Sequence, residues 1–201
     1  MTDYEAHLQY GFAVHMLLVA AVTLGYVTNL LSVQMLAMTV AVLPLTLAGS
    51  LFPDLDHHSA LPYRYGKRFI PPAMALIILL VGVRYRVPIA VALTGEPAPR
   101  LGQFLSGAVV ASLGWGSWVA TAALFPVLRP PHRTITHRVP TGVVAAFCVG
   151  GIVSLLVGGH GSLLAAERVF VIATSVAFLF GFMSHLAADG ILRERFLNRP
   201  V

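Results

Sequence analysis

Charged residues and cysteine are both scarce in this chain of 201 residues. Only 10% of the residues are charged, 57% are hydrophobic, and the mean hydropathy is +0.82. Soluble domains carry about 25% charged residues, so this composition excludes a water-soluble globule and a disordered chain. The single cysteine, Cys148, excludes an intramolecular disulfide and therefore a disulfide-rich scaffold. The net charge of +5 rests on few charges in total, and we expect no nucleic-acid partner.

Long apolar runs are what the sequence does contain. A helix needs about 20 mostly apolar residues to cross the hydrocarbon core of a bilayer. Candidate spans cover residues about 7–27, 33–52, 69–93, 101–128, 141–157 and 170–188. The third span contains Arg84-Tyr85-Arg86, whose arginines would have to reach toward the interface. We therefore predict an all-α, polytopic membrane protein with about six transmembrane helices in one bundle, forming a single domain over residues 1–201.

Positive charges are distributed unevenly between the two faces that six spans create. The loop after the second span, the loop after the fourth span and the C-terminal tail carry three Lys or Arg residues each, and all three lie on one face. The opposite face carries the remaining four of the 13. Because cytoplasmic loops are enriched in Lys and Arg, we predict an inner-membrane protein with both termini in the cytoplasm.

Histidines and aspartates occur in four short segments at the ends of the spans. Under the six-span topology, all four segments lie at the same membrane face, and the span count does not depend on them. Mixed histidine and carboxylate ligands suit Zn²⁺ or Mn²⁺ and are common in hydrolytic metal sites. The predicted metal ligands are His7, Asp54, Asp56, His132, His137, His185 and Asp189.

Spacing within two of these segments shows how their side chains would meet. His185 and Asp189 are four residues apart, so they stack on one face of a helix and can hold one ion together. His132 and His137 are five residues apart, which is about 140° around a helix. A loop is therefore needed to bring this second pair together, and Pro130-Pro131 supplies the break in the helix.

Each segment taken alone also has a structural interpretation. A histidine or aspartate at the end of a span can simply be an interfacial polar group. The Asp54-Leu55-Asp56 sequence is equally typical of a helix cap or turn, although two neighbouring carboxylates repel each other unless a cation lies between them. His185 and Asp189 could form a hydrogen-bonded structural pair. The presence of all four segments on one face favours the metal site.

At these residues the sequence resembles the YdjM-like family, inner-membrane proteins described as metal-dependent hydrolases. The matching segments are His7 with Gly11, Pro53-Asp54-Leu55-Asp56-His57, His132-Arg133-Thr134-Ile135-Thr136-His137, and Gly181 through His185 to Asp189. Thr134 stands where the family has glycine and Arg138 where it has serine, and two candidate spans separate the second and third segments. The family is distantly similar to zinc-dependent phospholipases C, which implies phosphoester hydrolysis.

The motifs and the resemblance together predict a membrane-embedded, metal-dependent hydrolase that acts on a lipid or another phosphoester at the cytoplasmic interface. Zn²⁺ is the favoured cofactor and Mn²⁺ the second choice. Asp54 or Asp56 would accept the proton of the attacking water, and Arg133 and Arg138 would bind the phosphate. A divalent-metal transporter and a non-catalytic membrane protein with a structural metal are the alternatives. The sequence predicts no particular oligomeric state.

Overall fold

The described part of the chain is built from helices. The computed structural model describes residues 4–95, 100–127, 135–158 and 163–192, and these contain no strand. Within these ranges, six helical stretches are long and apolar enough to cross a membrane, which confirms the predicted all-α polytopic fold. The elements are α1 (Tyr4–Val27), α2 (Val33–Ala41), α3 (Leu43–Leu51), a 3₁₀ turn (Pro53–Asp56), α4 (Leu61–Arg84), α5 (Arg86–Thr94), α6 (Arg100–Val127), α7 (Val139–Val157) and α8 (Ala165–Ala188).

The second span is broken in its middle. Helices α2 and α3 meet at Val42, which ends one helix and begins the other. Pro44 follows two residues later and has no N–H to donate to the carbonyl of Val40, so the helical ladder is interrupted there. Beyond the break, α3 packs along α8.

The third span differs from its predicted bounds. Residues 69–93 are predicted as one span, whereas the structure has two helices, α4 and α5, that meet at Tyr85. Helix α4 already begins at Leu61, so its 24 residues are long enough to cross a membrane without α5. Pro62 suits the first turn of α4, because proline has no N–H that needs an intrahelical partner. An apolar-run criterion misses these first turns, because they carry polar and charged residues.

Two compact units make up the chain. The first comprises the described parts of Met1–Tyr63 and Pro130–Val201, and the second comprises those of Arg64–Arg129. In the second unit α6 packs against α5 and α4, with Leu79 lying against Gly114. The predicted metal ligands that the structure describes, His7, Asp54, Asp56, His137, His185 and Asp189, all belong to the first unit. The single-domain organisation stays a prediction.

Helix α8 is the centre of the first unit. It packs against α3, α7 and α1, and its Phe178, Phe182 and Leu186 side chains are buried among them. The starts of α1 and α7 lie at the same end of this unit as the ends of α3 and α8. Gly190, with φ of 74°, adopts the left-handed conformation that terminates a helix, so α8 stops beside Asp189 at that end.

Candidate metal centre

The four predicted segments meet at one end of the first unit. His7 lies in the first turn of α1, Asp54 in the 3₁₀ turn after α3, His137 just before α7, His185 in the last turn of α8, and Asp189 at its C-cap. We call these five residues the inner cluster. Its closely spaced N–N and N–O pairs are 3.3 to 3.9 Å apart. The predicted convergence of distant histidines and carboxylates is therefore present in the fold.

His185 occupies the middle of the inner cluster and is fully buried. Its Nδ1 lies 2.8 Å from the backbone carbonyl oxygen of Ser50 on α3. A carbonyl only accepts hydrogen bonds, so Nδ1 must carry the proton and Nε2 of the neutral ring keeps a lone pair. That Nε2 lies 3.3 Å from Nε2 of His137. The backbone of α3 thus selects the tautomer that turns a ligand atom toward the cluster.

Two glycines, each one helical turn from a histidine of the inner cluster, let the helices approach closely. At Gly181 on α8, an added Cβ would collide with the backbone carbonyl oxygen of Thr46 on α3. At Gly11 on α1, an added Cβ would lie 2.7 Å from the Ser50 Oγ on α3. Any side chain at either position would push a helix away from α3, and the histidine on that helix would move with it.

His7 lies directly against His185. Their rings stack with centroids 3.8 Å apart and planes inclined by 18°. Nε2 of His7 is 3.6 Å from one carboxylate oxygen of Asp189 and 3.9 Å from one of Asp54. The other oxygen of each carboxylate faces Nε2 of His185, at 3.6 and 3.8 Å. The two carboxylates therefore bridge the two stacked imidazoles.

His137 joins the cluster through Nε2 and is held from behind through Nδ1. Its Nε2 lies 3.6 Å from Asp189. Its Nδ1 lies 3.1 Å from the Thr136 hydroxyl and 3.5 Å from the Asp56 carboxylate, and the Thr136 hydroxyl donates to that same carboxylate. Asp56 thus lies on the opposite side of the imidazole from the inner cluster. A carboxylate in this place orients a metal-binding histidine and raises its basicity.

The electrostatics of the site favour a bound cation. Three carboxylates, those of Asp54, Asp56 and Asp189, are at most 15% exposed and lie among imidazoles. Burial raises the pKa of the Asp54 carboxyl, His7 opposes this rise, and the neighbouring Asp189 adds to it. Anionic carboxylates in such a place are costly without a compensating positive charge. A divalent cation would supply that charge.

Two overlapping groups of residues have their ligand atoms within 4.8 Å of one another. His7, His185 and Asp189 form the first, and Asp54, His137 and His185 form the second. No protein-family model, curated protein or solved structure gives a significant match to this chain.

The remaining predicted residues lie in different places. His132 and Arg133 fall outside the described residues. Arg138 is exposed and forms the N-cap of α7, one residue beyond His137. Its predicted contact with phosphate stays a prediction, as does direct metal ligation by Asp56.

Sequence reasoning missed the residues that orient the ligands. Ser50 acts through its backbone carbonyl, which no residue-type pattern can indicate. Thr136 could have been noticed from the sequence, since it stands next to the predicted ligand His137. Both residues hold the Nδ1 side of an imidazole, so they determine where Nε2 points.

Asn in place of Asp56 should separate an orienting role from a ligand role. The substitution keeps the size of the side chain and removes its charge. If Asp56 orients His137, the metal affinity should fall by about 10–100-fold and remain measurable. Competition with a chelator of known affinity measures this change. A complete loss of metal in the folded variant would make Asp56 a direct ligand instead.

A second buried histidine lies deeper in α1, away from the inner cluster. His15 is 1% exposed, and its Nδ1 is 2.9 Å from the hydroxyl of Thr46, which is fully buried on α3. The pair ties α1 to α3 about two helical turns from His7. His15 is therefore a packing residue in this structure.

Valine in place of Thr46 should destabilise the fold and spare the metal site. Valine has nearly the same shape but cannot hydrogen-bond, so the buried imidazole of His15 loses this partner. Such a loss costs about 1–3 kcal/mol of unfolding free energy. Thermal unfolding of the detergent-solubilised protein should show a lower midpoint, with the metal content unchanged. An unchanged midpoint would mean that the hydrogen bond contributes nothing to stability.

Proposed function

We propose that this protein is a membrane-embedded, metal-dependent hydrolase of lipid phosphoesters. The observation that carries the proposal is the inner cluster, in which three imidazole Nε2 atoms and two carboxylates converge. Four separate chain segments supply these groups, and the backbone of α3 fixes the tautomer of the central histidine. Such convergence at the ends of spanning helices is costly unless the residues bind something.

The donor atoms fit a small divalent cation. Two nitrogens bound tetrahedrally to Zn²⁺ at about 2.0–2.1 Å would be about 3.3–3.4 Å apart. The Nε2 atoms of His137 and His185 are 3.3 Å apart. His185 belongs to both ligand groups and has one lone pair to offer, so we infer a single shared ion. The mixture of imidazole and carboxylate favours Zn²⁺, with Mn²⁺ as the second choice.

A bound divalent cation would acidify water and polarise a phosphoester oxygen in the site. His7, His137, His185 and Asp189 would hold the cation. Asp54 is the most exposed of the three carboxylates and has a raised pKa, so it suits the acceptance of a proton from the attacking water. The water oxygen would bond to phosphorus as the bond to the leaving alcohol breaks, and Asp54 would pass the proton that it took from the water to the alcohol oxygen.

The position of the inner cluster favours a lipid substrate. It lies where α1 and α7 begin and α3 and α8 end, at the depth of the headgroups if these helices span. The exposed guanidinium of Arg138 lies one residue from His137 and suits an anionic headgroup. The resemblance to the YdjM-like family agrees with the proposal, as does the charge bias, which predicts that this end faces the cytoplasm.

Metal analysis combined with a substrate screen tests this proposal. The purified protein in detergent should contain about one Zn²⁺ or Mn²⁺ per chain. It should hydrolyse a lipid phosphoester such as phosphatidic acid, lose that activity to a chelator, and regain it when the metal is restored. Bound metal without turnover on any lipid phosphoester would identify a structural metal. Metal uptake into proteoliposomes would identify a transporter. Either result would overturn the hydrolase proposal.

A further inference from the structure

An apolar groove runs between α7 and α8 within the first unit. Its volume is about 550 Å³, within the range of ligand-binding sites. Small residues of α7 form part of its lining, among them Ala146, Gly150 and Gly151. Larger apolar side chains that are exposed also line it, among them Phe147, which is 75% exposed, and Ile172, which is 61% exposed. The groove is therefore open on one side and has apolar side chains at its margin.

The groove runs along α7 and α8 from a point less than two helical turns from the inner cluster, and the fully buried ring of Phe182 packs against Gly142 between the two. Its nearest residues to the cluster are Val143 on α7 and Leu179 on α8. Val143 is six residues from His137, which lies just before α7, and Leu179 is six residues, or about 9 Å along α8, from His185. The groove therefore starts just below the level of the inner cluster.

The length of the groove matches one leaflet of a bilayer. Along α7 it extends from Val143 to Ser154, which is 11 residues or about 16 Å. Half of the hydrocarbon core is about 15 Å thick. A chain lying in the groove would therefore extend from the headgroup level to the middle of the bilayer.

Two serines, Ser154 on α7 and Ser175 on α8, are the polar residues in a lining otherwise made of apolar side chains and glycines. The Ser175 hydroxyl that lines it already donates to the backbone carbonyl of Val171 on its own helix. The other lining side chains of α8 are apolar, and Gly151 on α7 leaves open space where a side chain would otherwise stand.

We propose that this groove binds one hydrocarbon chain of the substrate lipid and so holds its headgroup at the inner cluster. The inference rests on the proposed lipid phosphoesterase function and names the part of the substrate that the protein recognises. The groove lies near the cluster, has a mostly apolar lining and is as long as one leaflet. These features together favour a lipid chain over a soluble phosphoester or a polar ligand. The protein would thus discriminate its substrates by chain length as well as by headgroup.

Leucine in place of Gly151 fills the groove without disturbing the helix packing. An added Cβ at Gly151 meets no atom within 4 Å, and leucine is a better helix former than glycine. Gly116 on α6 is the matched control, because a Cβ there also meets no atom within 4 Å and Gly116 does not line the groove. Both variants should fold and retain metal.

Two measurements on these variants test the groove. The first is crosslinking of phosphatidic acid that carries a photoreactive group near the end of its acyl chain. Wild type and Gly116→Leu should crosslink at α7 or α8, and Gly151→Leu should lose about tenfold or more of this signal. The second is hydrolysis, in which Gly151→Leu should raise KM for the long-chain lipid about tenfold and leave a short-chain, water-soluble phosphoester unaffected.

The outcomes separate the groove from the hydrolase proposal. Crosslinking that depends on Gly151 without any turnover in the wild type would retain the chain-binding groove and reject the hydrolase. Turnover with crosslinking unchanged in Gly151→Leu would reject the groove and retain the hydrolase. A change in oligomeric state in Gly151→Leu alone would mean that a second copy of the chain occupies the groove, which also overturns the inference.

Discussion

Alanine in place of His185 should abolish metal binding and, with it, any hydrolysis. His185 is the only residue that belongs to both ligand groups among the described residues, and its Nε2 faces Asp54, His137 and Asp189. Removing it deletes a central donor and leaves the surrounding carboxylates with one imidazole fewer. Since the loss of an orienting residue already costs about 10–100-fold in metal affinity, the loss of this ligand should cost at least about 100-fold. Elemental analysis of the purified variant measures the bound metal.

Two further variants make this result interpretable. His58 is exposed in the loop after the 3₁₀ turn, outside the inner cluster, so His58→Ala should retain metal and activity. His185→Ala also leaves a cavity and deprives the Ser50 carbonyl of its donor, which can impair folding by itself. Asp189→Asn keeps the side-chain size while removing a charge that faces three histidines, and it should lose metal too. Full metal content in folded His185→Ala or Asp189→Asn would contradict the proposed site.

Valine in place of Gly181 should separate α3 from α8 and so impair both stability and metal binding. Even a single Cβ at this position collides with the backbone of α3, at the carbonyl of Thr46. A backbone atom cannot rotate away as a side chain can, so the helices must shift. Overpacking of this kind costs about 1–3 kcal/mol of unfolding free energy, and more where backbone must move. Thermal unfolding and metal content should both fall.

Gly116→Val on α6 is the control for this substitution. A Cβ there meets no atom within 4 Å, so the variant measures the effect of valine in a helix without a collision. Its unfolding midpoint should stay near that of the wild type. Equal destabilisation of Gly181→Val and Gly116→Val would show that the contact between α3 and α8 at Gly181 is unimportant.

Much of the helical architecture could be predicted because a bilayer imposes it on the sequence. An apolar run of about 20 residues is a local feature, and α1, α6 and α7 lie within three residues of their predicted bounds. The errors in the predicted helix bounds arise where the limits of a helix do not coincide with the limits of an apolar run. Helix α4 begins at Leu61, in a polar stretch before its apolar run. Helices α2 and α3 are separated near Pro44, which lies inside a single apolar run. Hydropathy reports which residues avoid water and carries no information about hydrogen bonding in the backbone.

The site could be predicted in part, because some of its spacings are also local features of the sequence. The spacing of His185 and Asp189 is local, and the structure places them together, with 3.6 Å between Nε2 and the carboxylate. His7 and His15 are both buried histidines on one helix, and their different roles follow from what each meets. His7 meets the inner cluster, and His15 meets Thr46 of α3. That distinction depends on contacts across 31 or more residues of sequence, which spacing does not encode.

The amino-acid order alone was sufficient to determine that the chain is helical and apolar enough to cross a membrane. It also indicated which imidazoles and carboxylates lie at the ends of the helices. Helix length and hydropathy are properties of short segments, so they can be read locally. Only the tertiary structure decided that Asp56 stands behind His137, that the Ser50 carbonyl sets the tautomer of His185, and that a groove leads away from the inner cluster. These features arise where four helices approach within hydrogen-bonding distance, and the approach depends on packing against α8 as a whole.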